Sequence, residues 1–336
     1  MDFWQKDTKD LLLQVPISAV NGPGAAAPTV NTAEMLNRGI DISVTTKGDL
    51  TAKWNYEVNV TASWLKNEIT DLPGDQTYIG TINPGFRGIN PIRNQLGQSI
   101  SSFFGYQVDG LWQSNEEVAQ ANALDGDATS VFQNGAAQGR FKYRDITGPN
   151  GVPDGVITDL DRTWLGSPVP KFTGGFNFTL RYGNFDFVAY VYTSLGNKVF
   201  NVSKWFTDFY PSFQGASISE RVKGSWTPEN RGASIPIFES ASNFSTNTQS
   251  SSFYVEDGSY LRLQNVTLGY TLPTAMLNRF NMTKLRFFAS TNNLFTITGY
   301  DGLDPAVGGA ADTNFGIDVG NQPVTRSYTF GVNLGF

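Results

Sequence analysis

The last thirteen residues of the chain, Val324-Thr-Arg-Ser-Tyr-Thr-Phe-Gly-Val-Asn-Leu-Gly-Phe336, decide the fold. Even-numbered positions are large and mostly apolar, and odd-numbered positions are small or polar. Because successive side chains of a strand point to opposite faces, this alternation predicts a β-strand with one apolar face. Chain ends of soluble proteins tend to fray, whereas a strand in lipid must satisfy its backbone groups. A terminal strand that ends on Phe therefore favours a membrane barrel.

The same alternation recurs along the chain, clearly in 51–67 and 171–182. Trp54 and Trp64 occupy the apolar face of one segment, ten residues apart, which is about 25 Å of height at a tilt near 40°. That height matches the lipid-facing band of an outer-membrane barrel. The sequence therefore predicts an all-β, antiparallel transmembrane barrel portion. We expect eight spanning strands at about 2–15, 35–48, 51–69, 171–183, 184–198, 258–272, 283–295 and 324–336.

Strand and connection lengths support this topology. Alternating segments of about 11–16 residues exceed the usual globular strand of about 5–6 and suit tilted membrane strands. Short connections at 47–50 and 183–184 alternate with long ones, as in barrels with short periplasmic turns and long outer loops. We expect one domain, 1–336, with these extracellular loop regions: 16–34, 70–170, 199–257 and 296–323.

One strand-like segment, 99–112, does not fit the count of spanning strands. Counting it as spanning would break the alternation of up and down strands. We therefore predict that it pairs within the extracellular region, with 138–146 as the suggested partner. The composition of 115–124 predicts a short helix on the same loop.

Composition excludes several classes of function. The chain contains no Cys and no His, so it has no thiol nucleophile, disulfide, ordinary triad base or imidazole metal ligand. The net charge of −6 argues against a nucleic-acid surface. No pair of carboxylates has a context that indicates hydrolysis, and we expect no enzymatic activity. No apolar run approaches the length of about 20 residues that a membrane-spanning helix needs.

An acidic stretch, 145–161, suggests a calcium-binding site. Asp154-Gly155 and Asp161 match the second half of a twelve-residue calcium loop, whereas the first half does not match. Asp145 and Asp159 are the further candidate ligands. The alternative is a solvated turn in which the Asp residues cap backbone groups. Calcium is the only cofactor that the sequence suggests.

The loop 199–257 is rich in aromatic residues, and rigid aromatic faces stack on sugar rings or pack against partner proteins. The candidate substrate-binding residues are Trp205, Phe206, Tyr210 and Phe213. The alternative, that these rings form the core of the loop itself, is favoured over the functional interpretation.

Five ordered stretches resemble the SusC/RagA family of TonB-dependent outer-membrane transporters, after a first strand, Asp2-Phe-Trp-Gln-Lys-Asp, that is similar to a mid-barrel strand of that family. One of them is Gly97-Gln-Ser-Ile-Ser-Ser-Phe-Phe-Gly-Tyr-Gln-Val-Asp-Gly110. The other four are 154–163, 166–176, 257–273 and 292–305.

The resemblance implies an importer of oligomeric glycans or peptides in the outer membrane of a Gram-negative bacterium. It implies a 22-stranded barrel around an N-terminal plug, a SusD-like surface lipoprotein as lid, and energy from the TonB complex. This sequence matches no plug and no TonB-contacting segment, and Met1 is not followed by a signal peptide. We therefore expect a C-terminal barrel portion of a longer protein, a split gene product or a deliberately cut chain.

The resemblance also suggests that the closing strand is read by barrel-assembly machinery, with Tyr328, Phe330 and Phe336 as the signal. Two alternatives stay open: a secreted or surface all-β module that binds glycan, and a passive porin or adhesion barrel. Dependence on detergent distinguishes the importer from the first. The sequence upstream of Met1 distinguishes it from the second.

Overall fold

Long antiparallel hairpins dominate the computed structural model, which describes residues 1–14, 28–73, 78–80, 88–124, 126–127, 129–211, 215–277, 282–309 and 314–336. Eight strands form one sheet, termed the main sheet, in which each strand pairs with the strands of that sheet that precede and follow it along the chain. The strands of this main sheet are β1 (Asp2–Gln14), β2 (Thr29–Thr51), β3 (Trp54–Asp71), β10 (Phe172–Tyr182), β11 (Phe185–Leu195), β14 (Tyr260–Thr271), β15 (Lys284–Thr298) and β17 (Ser327–Gly335). These are the eight strands that the alternation predicts.

Smaller elements lie in the connections between the long strands. The short strands are β4 (Tyr78–Gly80), β5 (Arg93–Gln95), β6 (Phe103–Tyr106), β7 (Val108–Leu111), β8 (Phe141–Tyr143), β9 (Arg162–Gly166), β12 (Lys198–Asn201), β13 (Val255–Asp257) and β16 (Ile317–Asp318). The helices are α1 (Asn115–Ala121), α2 (Ser203–Thr207) and α3 (Thr274–Leu277), with 3₁₀ turns at Asp159–Asp161, Glu220–Gly224 and Ser252–Tyr254.

The predicted pairing of 99–112 is confirmed in part. Strand β7 pairs with β8, within the suggested partner range 138–146. Strand β6 pairs instead with β9, a partner that the sequence did not indicate. Neither strand belongs to the main sheet, as expected. The predicted helix is present as α1, where the Ser114 side chain accepts a hydrogen bond from the Glu117 N–H and caps the helix.

Two predicted boundaries were wrong. The hairpin between β2 and β3 turns at Ala52–Lys53 and not at 47–50, because Gly48 lies within the strand opposite Tyr56. A Cβ at Gly48 would lie 3.2 Å from the Tyr56 ring, so the glycine makes room for that ring. Strand β2 also begins at Thr29 and not near 35, because the end of β1 pairs back to Thr29 after a bulge near Asp10.

The main sheet separates its side chains into two faces with opposite chemistry. One row of cross-strand partners, running across β1, β2, β3, β10 and β11, joins Phe3, Ile40, Trp64, Phe172 and Leu195. A second row, ten residues along β3, joins Trp54, Tyr182, Phe185, Tyr270 and Phe287. Directly paired residues of antiparallel strands share a face, so both rows lie on what we term the apolar face.

The alternate residues of the same strands point to the opposite side of the sheet, termed the polar face. Glu57 faces Lys47 on one side and Thr179 on the other, and Arg181 faces Asp186. In the described residues β1 pairs only with β2 and β17 only with β15, so the sheet has two edges and is not closed on itself.

The long connections on one side of the sheet share a single hydrophobic core, termed the loop core. Its buried residues come from three separate connections, 88–170, 199–257 and 299–323; the first two supply aromatic rings that pack on one another, and the third supplies Ile317. Tyr106 and Tyr143 lie 4.9 Å apart between ring centroids, and Phe200 and Tyr254 lie 5.4 Å apart. Its largest members include Phe103, Tyr106, Trp112, Phe141, Tyr143, Phe200, Trp226 and Tyr254.

Candidate functional site

The aromatic residues of loop 199–257 divide into buried and exposed groups. Phe200, Phe209 and Trp226 are buried in the loop core, as the favoured alternative expected for rings of this loop. Trp205 is partly buried against the same core and packs edge-on against Phe206, with 5.0 Å between ring centroids. These rings stabilise the fold of the loop.

Two of the four substrate candidates stay accessible at the surface. Phe206 is 37% exposed, and Tyr210 is 52% exposed with its ring 5.5 Å from that of Phe238. The loop thus presents rigid aromatic faces, which suit a sugar ring or an apolar partner surface. Phe213 lies outside the described residues. Substrate binding by these residues stays a prediction.

A network of charged groups beneath these rings ties the loops together. The Lys204 ammonium lies 2.9 Å from a Glu256 carboxylate oxygen and also donates to the Phe253 carbonyl, and both charged side chains are about nine-tenths buried. The other Glu256 oxygen accepts the Asp301 N–H, which belongs to the next long connection. Glu256 therefore joins two connections through one carboxylate.

A second ion pair continues the network. Two nitrogens of Arg221 donate to the two oxygens of the buried Asp208, at 3.1 and 3.0 Å. Burial acts to lower the pKa of Arg221, but its bonds to Asp208 outweigh burial and the pKa is raised. The sequence offers no signal for the Asp208–Arg221 pair, because ion pairing across a folded loop has no periodicity.

The acidic stretch places its four candidate calcium ligands in different roles. Asp161 is fully buried, and its oxygens accept hydrogen bonds from the N–H groups of Ile146, Thr147 and Thr158 at 2.7–3.1 Å. The Asp159 carboxylate accepts the Tyr106 hydroxyl, and Asp154 accepts the Val156 N–H. The contacts of Asp161 and Asp154 are those of backbone capping, the alternative interpretation of this stretch, whereas Asp159 binds a side-chain hydroxyl.

Asp145 is the exception. One of its oxygens accepts the Gly155 N–H at 2.7 Å, and the other is buried with no hydrogen-bond partner. Burial raises the pKa of Asp145, and the nearby charge of Asp161 adds to that effect. Within the part of the chain that the structure describes, no three acidic side chains converge to hold a metal ion. Calcium binding by this stretch stays a prediction.

The proposed assembly signal lies on the free edge of the main sheet. Tyr328 and Phe330 occupy the apolar face of β17, opposite Thr291 and Ala289, and Phe336 follows the strand. Phe330 and Phe336 are more than 80% exposed. Recognition by assembly machinery stays a prediction. Over the described residues, no helix has both the length and the apolarity needed to cross a membrane.

The fold and its two faces define the class of protein. An antiparallel sheet of long strands, apolar on one face and polar on the other, with short turns at one end and large loops at the other, is part of an outer-membrane-type β-barrel. The structure is similar to that of a solved RagAB peptide transporter, with a TM-score of 0.76, 20% identity, and coverage of 99% of this chain and 33% of the other.

Sequence comparison finds relatives of the same kind. The whole chain is 29% identical to TonB-dependent receptor P3 of Formosa agariphila, over 32% of that protein. It is 24% identical to TonB-dependent receptor SusC of Bacteroides thetaiotaomicron, over 30% of that protein. No family model matches the sequence. Over its whole length the chain is similar to TonB-dependent receptors, SusC among them, and it spans about a third of the length of the curated relatives it matches.

Proposed function

We propose that this chain forms part of the wall of an importer that takes up oligosaccharides or peptides across the outer membrane of a Gram-negative bacterium. The observation that carries the proposal is the apolar face, which continues over all eight strands of the main sheet. A soluble sheet would bury such a face, whereas this one keeps large side chains such as Phe3, Trp64 and Phe330 exposed. Relatives described as TonB-dependent receptors support the same assignment.

The two rows of cross-strand partners on the apolar face, both rich in aromatic residues, fit the two boundaries of a lipid band. Trp54 packs on Tyr182 with 4.3 Å between ring centroids, and Trp64 packs on Phe172 at 5.0 Å. The pairing of β3 with β10 runs between these two contacts without a bulge, so ten residues separate the rows. With the tilt expected of barrel strands, the separation is about 25 Å, the height of the apolar band of such barrels.

The long loops at one end of the main sheet present a surface that suits a protein partner or a substrate. Phe206 and Tyr210 are exposed on a body whose interior is rigidly packed, which is the anatomy of an interface anchor. We propose that a SusD-like lipoprotein or the substrate contacts them. Coupling to the TonB complex would pass through parts of the protein outside this chain, and barrel-assembly machinery would read the edge strand β17. Since the relatives are described as receptors, and the sequence offers neither thiol nor imidazole, we propose no enzymatic role.

Uptake in whole cells tests this proposal. The intact protein that carries this chain is compared with a deletion strain for outer-membrane fractionation and for uptake of fluorescent oligosaccharide and peptide mixtures. We expect detergent-dependent extraction from the outer membrane and loss of uptake of one mixture on deletion. A protein that is washed from the membrane without detergent would overturn the barrel assignment, and unchanged uptake of both mixtures would overturn import.

A double change, Phe206→Ala with Tyr210→Ala, tests the loop anchors within that assay. We expect reduced uptake or reduced capture of the lipoprotein, with the barrel still inserted. The matched control is Leu303→Ala, another exposed apolar loop residue. Equal behaviour of the double variant, the control and the unchanged protein would show that the two rings contact neither partner nor substrate.

A further inference from the structure

A cavity of about 460 Å³ opens on the polar face near the short turn at 183–184. Three cationic side chains and one carboxylate line it, along with Thr179, Asn184, Thr271 and Asn333. The charged groups are Arg181, Asp186, Lys284 and Arg286. The lining therefore carries a formal charge of +2, obtained from three positive groups and one negative group.

One cation is already matched by the carboxylate. The Arg286 guanidinium donates to both oxygens of Asp186 from two strands away, at 2.9 and 2.5 Å. It reaches Asp186 across Gly269, where a Cβ would lie 2.5 Å from the Asp186 oxygen and closer still to the guanidinium. The absence of a side chain at Gly269 thus gives Arg286 its path, and the pair holds one wall of the cavity in place.

The other two cations have no such partner. Arg181 is the cross-strand neighbour of Asp186, whose oxygens are both occupied by Arg286. Lys284 lies at the end of β15, opposite Gly335. Among the described residues, neither side chain has a carboxylate within 4.0 Å. Two positive groups therefore face a cavity whose lining carboxylate, Asp186, has both oxygens hydrogen-bonded to Arg286.

We propose that this cavity binds one oxyanion group, a carboxylate or a phosphate, between Arg181 and Lys284. A guanidinium presents paired N–H donors that match the two oxygens of such a group, and an ammonium adds a point charge. The neighbouring hydroxyl and amide groups of Thr179 and Asn333 supply further hydrogen-bonding partners. The oxyanion comes either from a free solute or from an acidic side chain of a polypeptide that lies against the polar face.

This inference goes beyond the proposed import function, because it concerns an anion held by the wall whatever solute is transported. It also gives the Asp186–Arg286 pair a role. With Arg286 neutralised by Asp186, the free charge of the cavity is concentrated on Arg181 and Lys284. The site is therefore set by two residues that come from strands β10 and β15, separated in the sheet by β11 and β14.

Calorimetric titration of the intact protein in detergent tests the inference, with inorganic phosphate as the probe and chloride at equal ionic strength as the reference. We expect saturable heat with phosphate alone. Arg181→Gln and Lys284→Gln should each weaken phosphate binding about tenfold, as loss of one charge-assisted hydrogen bond does. The double variant should show no saturable heat. The matched control is Arg326→Gln, a cation near the opposite end of β17 that lines a different cavity.

A second arm distinguishes the two sources of the oxyanion. Hexaglutamate is tested as a competitor of phosphate, with hexaglutamine as the neutral reference. Competition by hexaglutamate supports an acidic polypeptide, and phosphate binding without competition supports a free solute. Equal heats for phosphate and chloride, or phosphate affinity unchanged in a double variant whose circular dichroism shows an intact barrel, would overturn the site. Neither result depends on uptake, so failure here is distinct from failure of the import proposal.

Discussion

Replacement of Asp161 by Ala is expected to loosen the segment 145–161 selectively. The Asp161 carboxylate accepts three backbone N–H groups, from Ile146, Thr147 and Thr158, and it is fully buried. It completes a capping box in which its side chain accepts the Thr158 N–H and the Thr158 side chain accepts a backbone N–H of the turn in return. Alanine leaves three donors without an acceptor.

The size of the effect follows from these three bonds. Each unsatisfied N–H costs about 1–3 kcal/mol, and the lower value applies because the donors lie near the surface and reach water once the segment relaxes. Three bonds at about 1 kcal/mol give about 3 kcal/mol for local opening. Since about 1.4 kcal/mol corresponds to a factor of ten, hydrogen exchange of these amides should accelerate about 100-fold.

Hydrogen exchange followed by mass spectrometry of the intact protein measures this change. The segment 145–161 should exchange faster in the variant, while the main sheet keeps its protection. Exchange that is unchanged within threefold would refute the capping role of Asp161. Uniform acceleration over the whole protein would refute the expected local character of the opening.

The same measurement decides the calcium hypothesis. If Asp145 bears a destabilising buried charge, Asp145→Asn should slow exchange of the segment, because the amide keeps an acceptor for the Gly155 N–H. If calcium binds, calcium should slow exchange in the unchanged protein and have no effect in Asp145→Asn. Absence of calcium heat in calorimetry, with no stabilisation by calcium, would remove the hypothesis.

Three further changes test the loop body. Glu256→Gln leaves Lys204 buried without its counter-charge and should lower the free energy of unfolding of the loops by about 3 kcal/mol in denaturant titration. Adding Lys204→Met should restore part of that loss. If the effects of the two substitutions simply add, the two residues do not form a pair. Hydrogen bonds from Ser259 lower the pKa of Asp257, so the stabilisation that Asp257 contributes is present above about pH 4 and is lost as the pH falls further. In Asp257→Asn, hydrogen exchange of the neighbouring amides should therefore depend less on acid pH. An identical pH profile in the variant and the unchanged protein would contradict this expectation. Gly139 has a φ of +78°, and a Cβ at this position would lie 2.6 Å from the Trp226 ring. Gly139→Ala should therefore lower the midpoint of thermal unfolding. An unchanged midpoint and unchanged Trp fluorescence would show that the loop core accommodates the methyl group without loss of stability.

Much of the main sheet could be predicted because the separation into two faces imposes a period of two on long strands. The closing strand and the segment around Trp54 and Trp64 were located for this reason, and their shared face is confirmed by the register. The extent of β1 was predicted correctly, but the pattern failed at the start of β2, where Thr29 to Ala33 pair with the end of β1 and were assigned to a loop. Gly48 misled as well, because a strand glycine beneath an aromatic ring resembles a turn glycine.

The loop elements could be predicted only where partners are close in sequence. Strand β7 lies about 30 residues from β8, and this pairing was suggested correctly. Strand β6 pairs with β9 across nearly 60 residues, and no local pattern indicates it. The ion pairs of Glu256 and Asp208 were missed for a different reason: their partners, Lys204 and Arg221, are brought near by folding of the loop and carry no spacing signal.

The loop core has a consequence for how these loops can change over time. Because Trp112, Phe200 and Ile317 pack together from three separate connections, no one loop keeps its conformation when another is replaced. A graft of a single loop from a relative would leave a cavity or an overlap in the shared interior. We therefore expect new specificity in this part of the barrel to arise by exchange of the loops as a set, or by substitution of exposed residues such as Tyr210, which lies outside the shared interior.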